Sequence, residues 1–408
     1  MFWGDTLDRI IFHIDVNNAF LSWTAVELLE QGYKYDIRNS YAVIGGDESA
    51  RHGIVLAKSM PAKRQGIKTA DTLFSARKRC PALRVYKPNY KMYQEKSNML
   101  FEYLKTYTPD IEIASIDECY MDYGKVSSLY GDAVMFAHKL KNEIYEKFGF
   151  TVNIGVANNR LCAKMASDFS KPNKVHTLWE NEVEEKMYPL SVGELFGIGK
   201  KTREKLNSLN INTIGDLANS DSVFLSKYFK NQTTHMINSA RGINNSPVIS
   251  EVIDPTSISN EITLSQDITD KGVLYTYLDS LSNQMALRLR KQKKYAHVVV
   301  VVLKDNKFRR KQHQKKIVNA TNITKEIFEV AKEILNEMYD DSPVRLIGLR
   351  LDGLVDKVMY QPSLFEDVES RNEDSTIDNL LDTLQDKYGV NVIKKGNQMK
   401  KSSDSKFI

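Results

Sequence analysis

The chain has 408 residues, of which 42% are hydrophobic, so it is long enough for several domains with packed cores. Its net charge is only +5, and its three cysteines and seven histidines are scattered without metal-ligand or disulfide spacing. No apolar run approaches the roughly 18 residues of a membrane span, and Asp5 and Asp8 fall where a signal peptide would be apolar. Composition therefore excludes a disulfide framework and a zinc centre, and predicts a cytoplasmic protein without a membrane partner.

The first predicted strand lies in the segment Ile10 to Phe20, which is rich in apolar β-formers and contains Asp15. A second acidic run, 111–122, predicts a β-hairpin with Asp117 and Glu118 at or near its turn. A buried strand cannot hold a bare negative charge without cost, so a cation is expected beside these carboxylates. Two divalent ions bridged by carboxylates are the common arrangement in enzymes that transfer phosphoryl groups, and Mg²⁺ prefers oxygen ligands. The two runs therefore predict a site for two Mg²⁺ ions.

Helices and strands alternate through the rest of the chain. The pattern of apolar residues predicts helices at 91–107, 132–148, 274–290 and 324–338, and strands at 40–45, 53–57, 151–157, 262–268, 297–303 and 345–354. Such alternation implies mixed sheets covered by helices, which is an α/β (α+β) multidomain fold.

A basic segment from Ala286 to Lys316 carries 12 Lys or Arg residues against one acid. It contains the predicted strand 297–303, so the charges flank a sheet. The imbalance favours a surface that follows a phosphate backbone. The arginines that we select as candidate backbone contacts are Arg288, Arg290, Arg309 and Arg310.

Two motifs carry a resemblance to a known family. The sequence SIDECYMD at 115–122 resembles the catalytic palm motif of the Y-family of lesion-bypassing DNA polymerases, and IDVNNAF at 14–20 is similar to its first metal motif. The resemblance covers about residues 10 to 365, in the family's motif order, and points to bacterial UmuC-like and DNA polymerase IV-like branches. It implies a right-hand polymerase that performs error-prone translesion synthesis on primer-template DNA, from deoxynucleoside triphosphates, by two-metal-ion nucleotidyl transfer.

The resemblance also assigns roles around the two acidic runs. It implies that two Mg²⁺ ions are held by Asp15, Asp117, Glu118 and the carbonyl of Val16, with the three carboxylates as the catalytic residues. Phe20, five places after the first aspartate, would be a steric gate that lies under the sugar and clashes with a ribose 2′-hydroxyl.

The segment 54–67 is similar to the family's fingers region, which lies over the nascent base pair. A strand there would turn Ile54 and Leu56 to one face as an apolar roof over the templating base. Lys63 falls where many relatives place an arginine that contacts the triphosphate. Met60 departs from the tyrosine of many relatives, although the UmuC-like branch lacks that tyrosine too.

Two further motifs imply contacts to phosphates. CAKMASDFSKPNK at 162–174 resembles the family signature in which Lys171 contacts the β,γ-phosphates. LFGIGKKTREKL at 195–206 is a helix-hairpin-helix pattern, which is typical of sequence-neutral binding to a DNA backbone. Its candidate backbone contacts are Gly197, Gly199, Lys200 and Lys201.

The segment QPSLF at 361–365 is similar to the peptide that docks these polymerases into the bacterial sliding clamp. Leu364 and Phe365 would fill an apolar pocket while Gln361 hydrogen-bonds at its rim. A UmuD-like accessory protein is a further partner that the sequence leaves open. An amphipathic helix is predicted next, with either the protein's own body or another protein as its partner; its apolar positions are Ile377, Leu380, Leu381, Leu384 and Tyr388.

The resemblance divides the chain into domains. The predicted ranges are palm 1–18 and 86–185, fingers 19–85, thumb with helix-hairpin-helix 186–245, linker 246–255, βαβ-type little finger 256–360, and clamp peptide with C-terminal tail 361–408.

Two alternatives are weighed against a polymerase. A catalytically retired DNA-binding scaffold would compete for the sliding clamp, but such a protein has no reason to keep buried carboxylates. A nucleotidyl cyclase is suggested by Gly-Gly-Asp-Glu at 45–48, which occurs in the diguanylate cyclase signature. However, no aromatic residue follows Glu48, and Gly-Gly between strands is typical of hairpins.

Overall fold

A computed structural model of the chain describes residues 9–47, 51, 53–251, 254–357 and 368–389. The chain divides into two compact units, one formed by Met1–Glu48 with Gly53–Val252 and the other by Ser49–His52 with Ile253–Ile408. No helix within the described residues is long and apolar enough to cross a membrane.

The first unit contains a five-stranded and a three-stranded sheet. Its strands are β1 (Ile11–Val16), β2 (Ala42–Gly45), β3 (Val55–Lys58), β4 (Arg84–Tyr86), β5 (Ile111–Ile113), β6 (Glu118–Asp122), β7 (Val152–Ala157) and β8 (Val175–Leu178). The larger sheet has the order β5-β6-β1-β7-β8, and the smaller one has the order β3-β2-β4.

Helices cover both sheets, as the alternation of elements predicted. In the first unit they are α1 (Ala19–Glu30), α2 (Met60–Arg64), α3 (Leu73–Arg79), α4 (Tyr90–Lys105), α5 (Ser127–Tyr130), α6 (Ala133–Phe148), α7 (Arg160–Asp168), α8 (Val183–Lys186), α9 (Lys200–Asn207), α10 (Ile214–Ala218), α11 (Ser222–Phe229) and α12 (Thr233–Ala240).

The central strand β1 positions the site. All six of its residues are buried, because it pairs with β6 on one side and β7 on the other while helices cover both faces. Both pairings are antiparallel, and their register sets Asp15 opposite Glu118 on β6 and opposite Asn153 on β7. A side-chain charge near the end of this strand is therefore fixed by two ladders at once.

Helix α7 lies unusually close to β7. A Cβ atom on Gly155 would come within 2.0 Å of the Ala163 carbonyl oxygen and 2.5 Å of the Ser167 nitrogen. Only glycine fits at this crossing, since any side chain would push the helix away from the sheet. The close approach brings the side chains of α7 over the strand that carries Asp15.

The second unit is a four-stranded sheet with helices. Its elements are β9 (Ser257–Ile268), α13 (Lys271–Lys291), β10 (Tyr295–Asp305), β11 (Arg310–Thr321), α14 (Thr324–Met338), β12 (Val344–Val355) and α15 (Val368–Tyr388). The strand order is β11-β10-β12-β9, and every pairing is antiparallel. Strand β11 was not predicted, because its run of Lys, Arg, Gln and His lacks the apolar alternation of a half-buried strand.

Helix α15 docks onto α13 and α14 through its acidic residues. The Arg290 guanidinium, only 9% exposed, donates to both carboxylate oxygens of Asp382 at 2.6 and 2.9 Å and to Asp378 at 3.0 Å. Asp378 also accepts from the Thr324 backbone N–H at 2.8 Å, which supplies the cap that the first turn of α14 lacks from its own N-cap residue. The predicted helix therefore has the protein's own body as a partner, while Ile377 and Leu380 remain exposed.

Asp378→Ala is expected to destabilise the docking of α15 by about 3 kcal/mol, because a buried guanidinium loses one of its two acidic partners and the Thr324 backbone N–H loses its cap. Hydrogen exchange of the α15 amides would measure the change. Asp386→Ala is the matched control, since it removes an exposed pair with Lys291 and should change stability by less than about 0.5 kcal/mol. Equal protection of α15 in both variants would contradict the ionic docking.

Candidate active site

Three carboxylates from two distant segments of the sequence meet where β1 ends and β6 begins, in the middle of the five-stranded sheet. Asp15 and Glu118 are direct partners across β1 and β6. Asp117 lies in the turn just before β6, and its carbonyl accepts a hydrogen bond from the Val16 N–H at 3.0 Å. The convergence of the two acidic runs, on which the predicted site depends, is thus present in the structure.

The carboxylates face a cavity of about 310 Å³. Its walls combine acidic, basic and apolar side chains from β1, α1, β3, α2 and the turn before β6. The residues that line it are Asp15, Val16, Asn17, Asn18, Ala19, Phe20, Leu56, Ala57, Met60, Lys63, Thr69, Ile116, Asp117, Glu118, Lys171 and Pro172.

Asp15 is the most buried of the three carboxylates, with 6% exposure. The Lys171 ammonium donates to its Oδ2 at 2.6 Å, and the Lys164 ammonium lies 3.6 Å from the same oxygen. Burial raises the pKa of Asp15 to about 6, and the two lysines only partly offset that effect. Without a stronger cation, this carboxylate is therefore short of compensating charge.

For Glu118, in contrast to Asp15, the neighbouring groups that stabilise the ionised carboxylate outweigh the effect of burial. Its pKa is lowered by His13 and by the Lys164 ammonium, which together outweigh its partial burial. Lys164 donates to Oε1 at 2.7 Å, whereas the His13 Nε2 lies 3.7 Å from Oε2. Because burial lowers the pKa of His13, its ring is neutral near pH 7, and we attribute the stabilisation of ionised Glu118 mainly to Lys164.

The donor set fits hard divalent cations. Among the residues that the structure describes, no three His, Cys, Asp or Glu side chains already surround one point as metal ligands. The reason is visible in the contacts: Glu118 faces Lys164, and Asp117 accepts from the Ser115 hydroxyl at 2.7 Å. The ammonium groups of Lys164 and Lys171 both contact Asp15, so the site already binds positive charge. Carboxylate oxygens are also the ligands that Mg²⁺ prefers.

Phe20 forms one wall of the cavity at the start of α1. Its ring stacks on Tyr93 with centroids 4.4 Å apart and planes 6° from parallel, and Tyr90 meets it edge-on at 6.1 Å. The Tyr93 hydroxyl is in turn 3.0 Å from the Thr24 hydroxyl. Phe20 is thus an apolar surface of the cavity that is supported by neighbouring aromatic rings and packs against the core.

The predicted fingers residues divide into two groups. Leu56, Met60 and Lys63 line the cavity. Ile54 is 41% exposed, stands outside the described cavity lining, and forms a bridge with Thr72 instead. Of the two residues of the predicted apolar roof, only Leu56 lines the cavity in this structure. The register between β2 and β3 shifts at Leu56, between Ala57 and Val55, which interrupts the strand alternation that predicted a shared face.

The helix-hairpin-helix segment leads into α9. Gly197 has φ +93°, a conformation that favours glycine, and Gly199 is the N-cap of α9 without a side-chain cap. The first N–H groups of α9 are therefore open to an acceptor such as a phosphate. Lys200 and Lys201 are exposed beside them.

The four candidate arginines differ in how accessible their guanidinium groups are to a phosphate. Arg309 pairs with Asp305 in the turn between β10 and β11, Arg310 pairs with Glu261, and both are exposed. Arg288 contacts the Ser259 carbonyl at 3.4 Å. Arg290 is different, since its donors are occupied by the α15 acids, and the structure gives it no open path to a phosphate. Sequence could not reveal this, because those acids lie about 90 residues further along.

The clamp-peptide residues Gln361, Leu364 and Phe365 lie outside the described residues. Their predicted role stays a prediction.

Sequence reasoning missed the side chains that organise the site from α7 and β1. Lys164 lies on α7 and pairs with Asp168 one turn further along, so in the sequence it looks like an ordinary surface lysine of a helix. His13 is two residues before Asp15, on the same face of a strand, and its Nδ1 lies 2.8 Å from the Ser167 hydroxyl. Asn17 accepts the Asn173 N–H at 2.8 Å and thereby fixes the segment that carries Lys171.

Comparisons with known families agree with this geometry. The impB/mucB/samB family matches residues 14–168, its C-terminal domain matches 255–364, and the IMS family HHH motif matches 180–211. DNA polymerase IV of Clostridium acetobutylicum is 45% identical over 389 residues, which are 95% of this chain and 97% of that relative. DNA polymerase IV 1 of Bacillus subtilis is 32% identical and covers 96% of this chain and 94% of its own length.

Solved structures show the same fold. A Y-family DNA polymerase chimera of Dbh and Dpo4 aligns with a TM-score of 0.73 at 24% identity, over 85% of this chain and 100% of that one. DinB from Sulfolobus solfataricus aligns with a TM-score of 0.56 at 25% identity, with the same coverage. The fold and the site thus define a right-hand polymerase.

The chain belongs to the impB/mucB/samB family, the Y-family of DNA polymerases. The predicted family, the fold class and the enzyme class, a DNA-directed DNA polymerase, are confirmed. Members of this family use divalent metal ions. The cyclase and retired-scaffold alternatives are not favoured.

Proposed function

We propose that this polymerase carries out error-prone, template-directed DNA synthesis past damaged bases by two-metal-ion nucleotidyl transfer. The observation that carries the proposal is the pairing of Asp15 with Glu118, beside Asp117, at the wall of a cavity that Lys63 and Lys171 also line. Acidic ligands for cations thus stand beside basic groups for an anionic nucleotide. Its substrates would be primer-template DNA and deoxynucleoside triphosphates, which fits the ternary complexes known for the Dbh relative.

The roles follow from position. The proposed ligands of two Mg²⁺ ions are Asp15, Asp117, Glu118 and the Val16 carbonyl. Bound there, Mg²⁺ supplies Lewis-acid stabilisation of the attacking and leaving oxygens. Lys171, which pairs with Asp15 in this structure, would move to the β,γ-phosphates. Lys63, which lines the same cavity from α2, would also neutralise the triphosphate.

Low fidelity is proposed from the small size of the fingers. The described part of the predicted range 19–85 consists of α1, a three-stranded sheet, α2 and α3. Apart from α1, its longest helix has seven residues, which leaves little surface to close around a base pair. Small fingers would make few contacts with the nascent base pair, so the enzyme would discriminate only weakly against mispairs of altered shape. It would tolerate a damaged template base for the same reason.

A DNA-binding surface is proposed on the sheet of the second unit, within the predicted little finger. Alternate residues of β11 point to opposite faces. Lys311 and Lys315 pair with Asp340 and Glu333 and so lie on the helix side. The intervening residues of β11 face away from the helices, and this open face carries Arg310, Gln312, Gln314 and Lys316, a set suited to phosphate contacts.

The partners of the tail remain proposals. Docking through Gln361, Leu364 and Phe365 into a bacterial sliding clamp would keep the enzyme at a primer end. A UmuD-like accessory protein is a second candidate partner. We also propose a cytoplasmic location, because the DNA substrate of a bacterial polymerase is found there.

Primer extension across an abasic site, with and without the clamp, tests the proposal. Wild-type protein is expected to extend the primer only when Mg²⁺ is present, and Asp117→Ala is expected to lose that activity. Glu95→Ala is the matched control, since it removes an exposed carboxylate of α4 outside the cavity. Full extension by Asp117→Ala would overturn the metal assignment, and a wild-type stop at the lesion on an otherwise extended template would overturn bypass alone.

A further inference from the structure

A lysine without a role in the proposed chemistry stands among the carboxylates. Lys164 is 8% exposed. Its ammonium lies 2.7 Å from Glu118 Oε1, 3.4 Å from Asp168 Oδ2 and 3.6 Å from Asp15 Oδ2. Three carboxylates thus surround one buried ammonium group.

The backbone of Lys164 is held from two sides. Gly155 allows α7 to lie against β7, which sets the height of the helix over the sheet. The Lys164 carbonyl accepts from the Ser167 hydroxyl at 2.8 Å, and that hydroxyl oxygen is 2.8 Å from the His13 Nδ1. These contacts fix the position of the Lys164 backbone, and its ammonium group lies beside β1 and β6.

Lys164 differs from its neighbour Lys171 in what it connects. Lys171 contacts Asp15 and Asp168 but not Glu118, and its side chain is 34% exposed, free enough to reach a nucleotide. Lys164 spans both strands, because it contacts Asp15 on β1 and Glu118 on β6. It also occupies Oε1, one of the two carboxylate oxygens of Glu118, which is a proposed metal ligand.

We propose that Lys164 is a positioning residue, an internal counter-ion that holds Asp15 and Glu118 together in the metal-free enzyme and competes with the first divalent cation for Glu118. The proposal rests on the proposed metal site. It predicts two opposite effects of removing the charge: the cation binds more tightly because its competitor is gone, and the metal-free site becomes less stable because two carboxylates lose their shared partner.

Direct Mn²⁺ binding to the full-length protein, without DNA or nucleotide, tests the competition. The electron paramagnetic resonance signal of free Mn²⁺ reports binding independently of catalysis. Lys164→Met is expected to lower the Kd of the first ion by about 10-fold, and Lys164→Arg to leave it within about twofold of wild type. Lys186→Met is the matched control: it also removes one charge from a lysine paired with an acid, outside the cavity, and should leave the Kd unchanged.

Thermal unfolding of the same variants tests the proposal even if Lys164→Met is poorly stable. In EDTA its Tm should fall below that of wild type, and Mn²⁺ should restore it. An unchanged or weaker Mn²⁺ affinity, or a loss of Tm that Mn²⁺ leaves in place, would overturn the role of Lys164. If instead Asp15→Asn binds Mn²⁺ as well as wild type does, the metal site of the proposed function is wrong, and the two failures are thereby distinguished.

Discussion

Asp15→Asn is expected to lower the rate of primer extension by at least about 1,000-fold and, at the same time, to stabilise the metal-free protein. The amide keeps the shape of the carboxylate but removes the charge that would hold a cation. It also removes a buried charge that the two nearby lysines compensate only in part. At pH 7.5 the free energy of unfolding should rise on the order of 2 kcal/mol.

The pH dependence gives an independent check on the same residue. The pKa of Asp15 in the folded protein, about 6, lies above its usual 3.8, so the folded state holds this proton more tightly than the unfolded state does. Its contribution to stability is therefore present below about pH 4 and is lost as the pH rises through 6. Asp15→Asn should flatten that part of the stability profile in EDTA.

Asp36→Asn is the matched control for this experiment, because it makes the same chemical change at a surface cap of the first unit. It should extend primers like wild type. A rate for Asp15→Asn within tenfold of wild type, or a lower stability of that variant in EDTA at pH 7.5, would contradict the account of Asp15.

Phe20→Ala is expected to raise the incorporation of ribonucleotides relative to deoxynucleotides by on the order of 100-fold. The ring forms a wall of the cavity and is held rigidly against Tyr93, so it cannot yield to an extra hydroxyl. Alanine would open that wall and leave the carboxylates and lysines in place. The ratio of kcat/KM for matched ribo- and deoxynucleoside triphosphates measures the effect.

Phe20→Ala removes both a packing contact and the proposed steric gate, and the two effects are separated by a second variant. Phe20→Ala should also reduce stability by about 2 kcal/mol, because the ring belongs to an aromatic cluster. Tyr90→Ala removes a ring from the same cluster that does not line the cavity, and it should leave sugar selection unchanged. Unaltered selectivity in Phe20→Ala would withdraw the assigned role.

The sequence was most informative where chemistry and local structure coincide. An aspartate in an apolar strand and an acidic pair in a hairpin are each costly alone, so their pairing as Asp15 and Glu118 could be anticipated. Helix boundaries were close for the same reason: Asn89 caps α4 through its side chain, and Asp132 caps α6. Local signals of this kind need no knowledge of distant residues.

What could not be predicted depends on partners far along the chain. Lys164 resembled an ordinary helix lysine until α7 was placed over β1, and Arg290 resembled a phosphate contact until Asp378 and Asp382 reached it. Strand β11 lacks an apolar pattern because its charged side chains are balanced by acids, two of them on α14. Side chains that are satisfied by ion pairs leave no hydrophobic periodicity to read.

The central place of β1 has a consequence for synthesis of the protein. This strand leaves the ribosome well before its neighbours, β6 at 118–122 and β7 at 152–157, which follow more than 100 residues later. At about 5 to 20 residues per second, that gap corresponds to many seconds in which a strand built to be covered on both faces has no mate. The nascent chain therefore exposes an aggregation-prone edge until β6 and β7 have emerged.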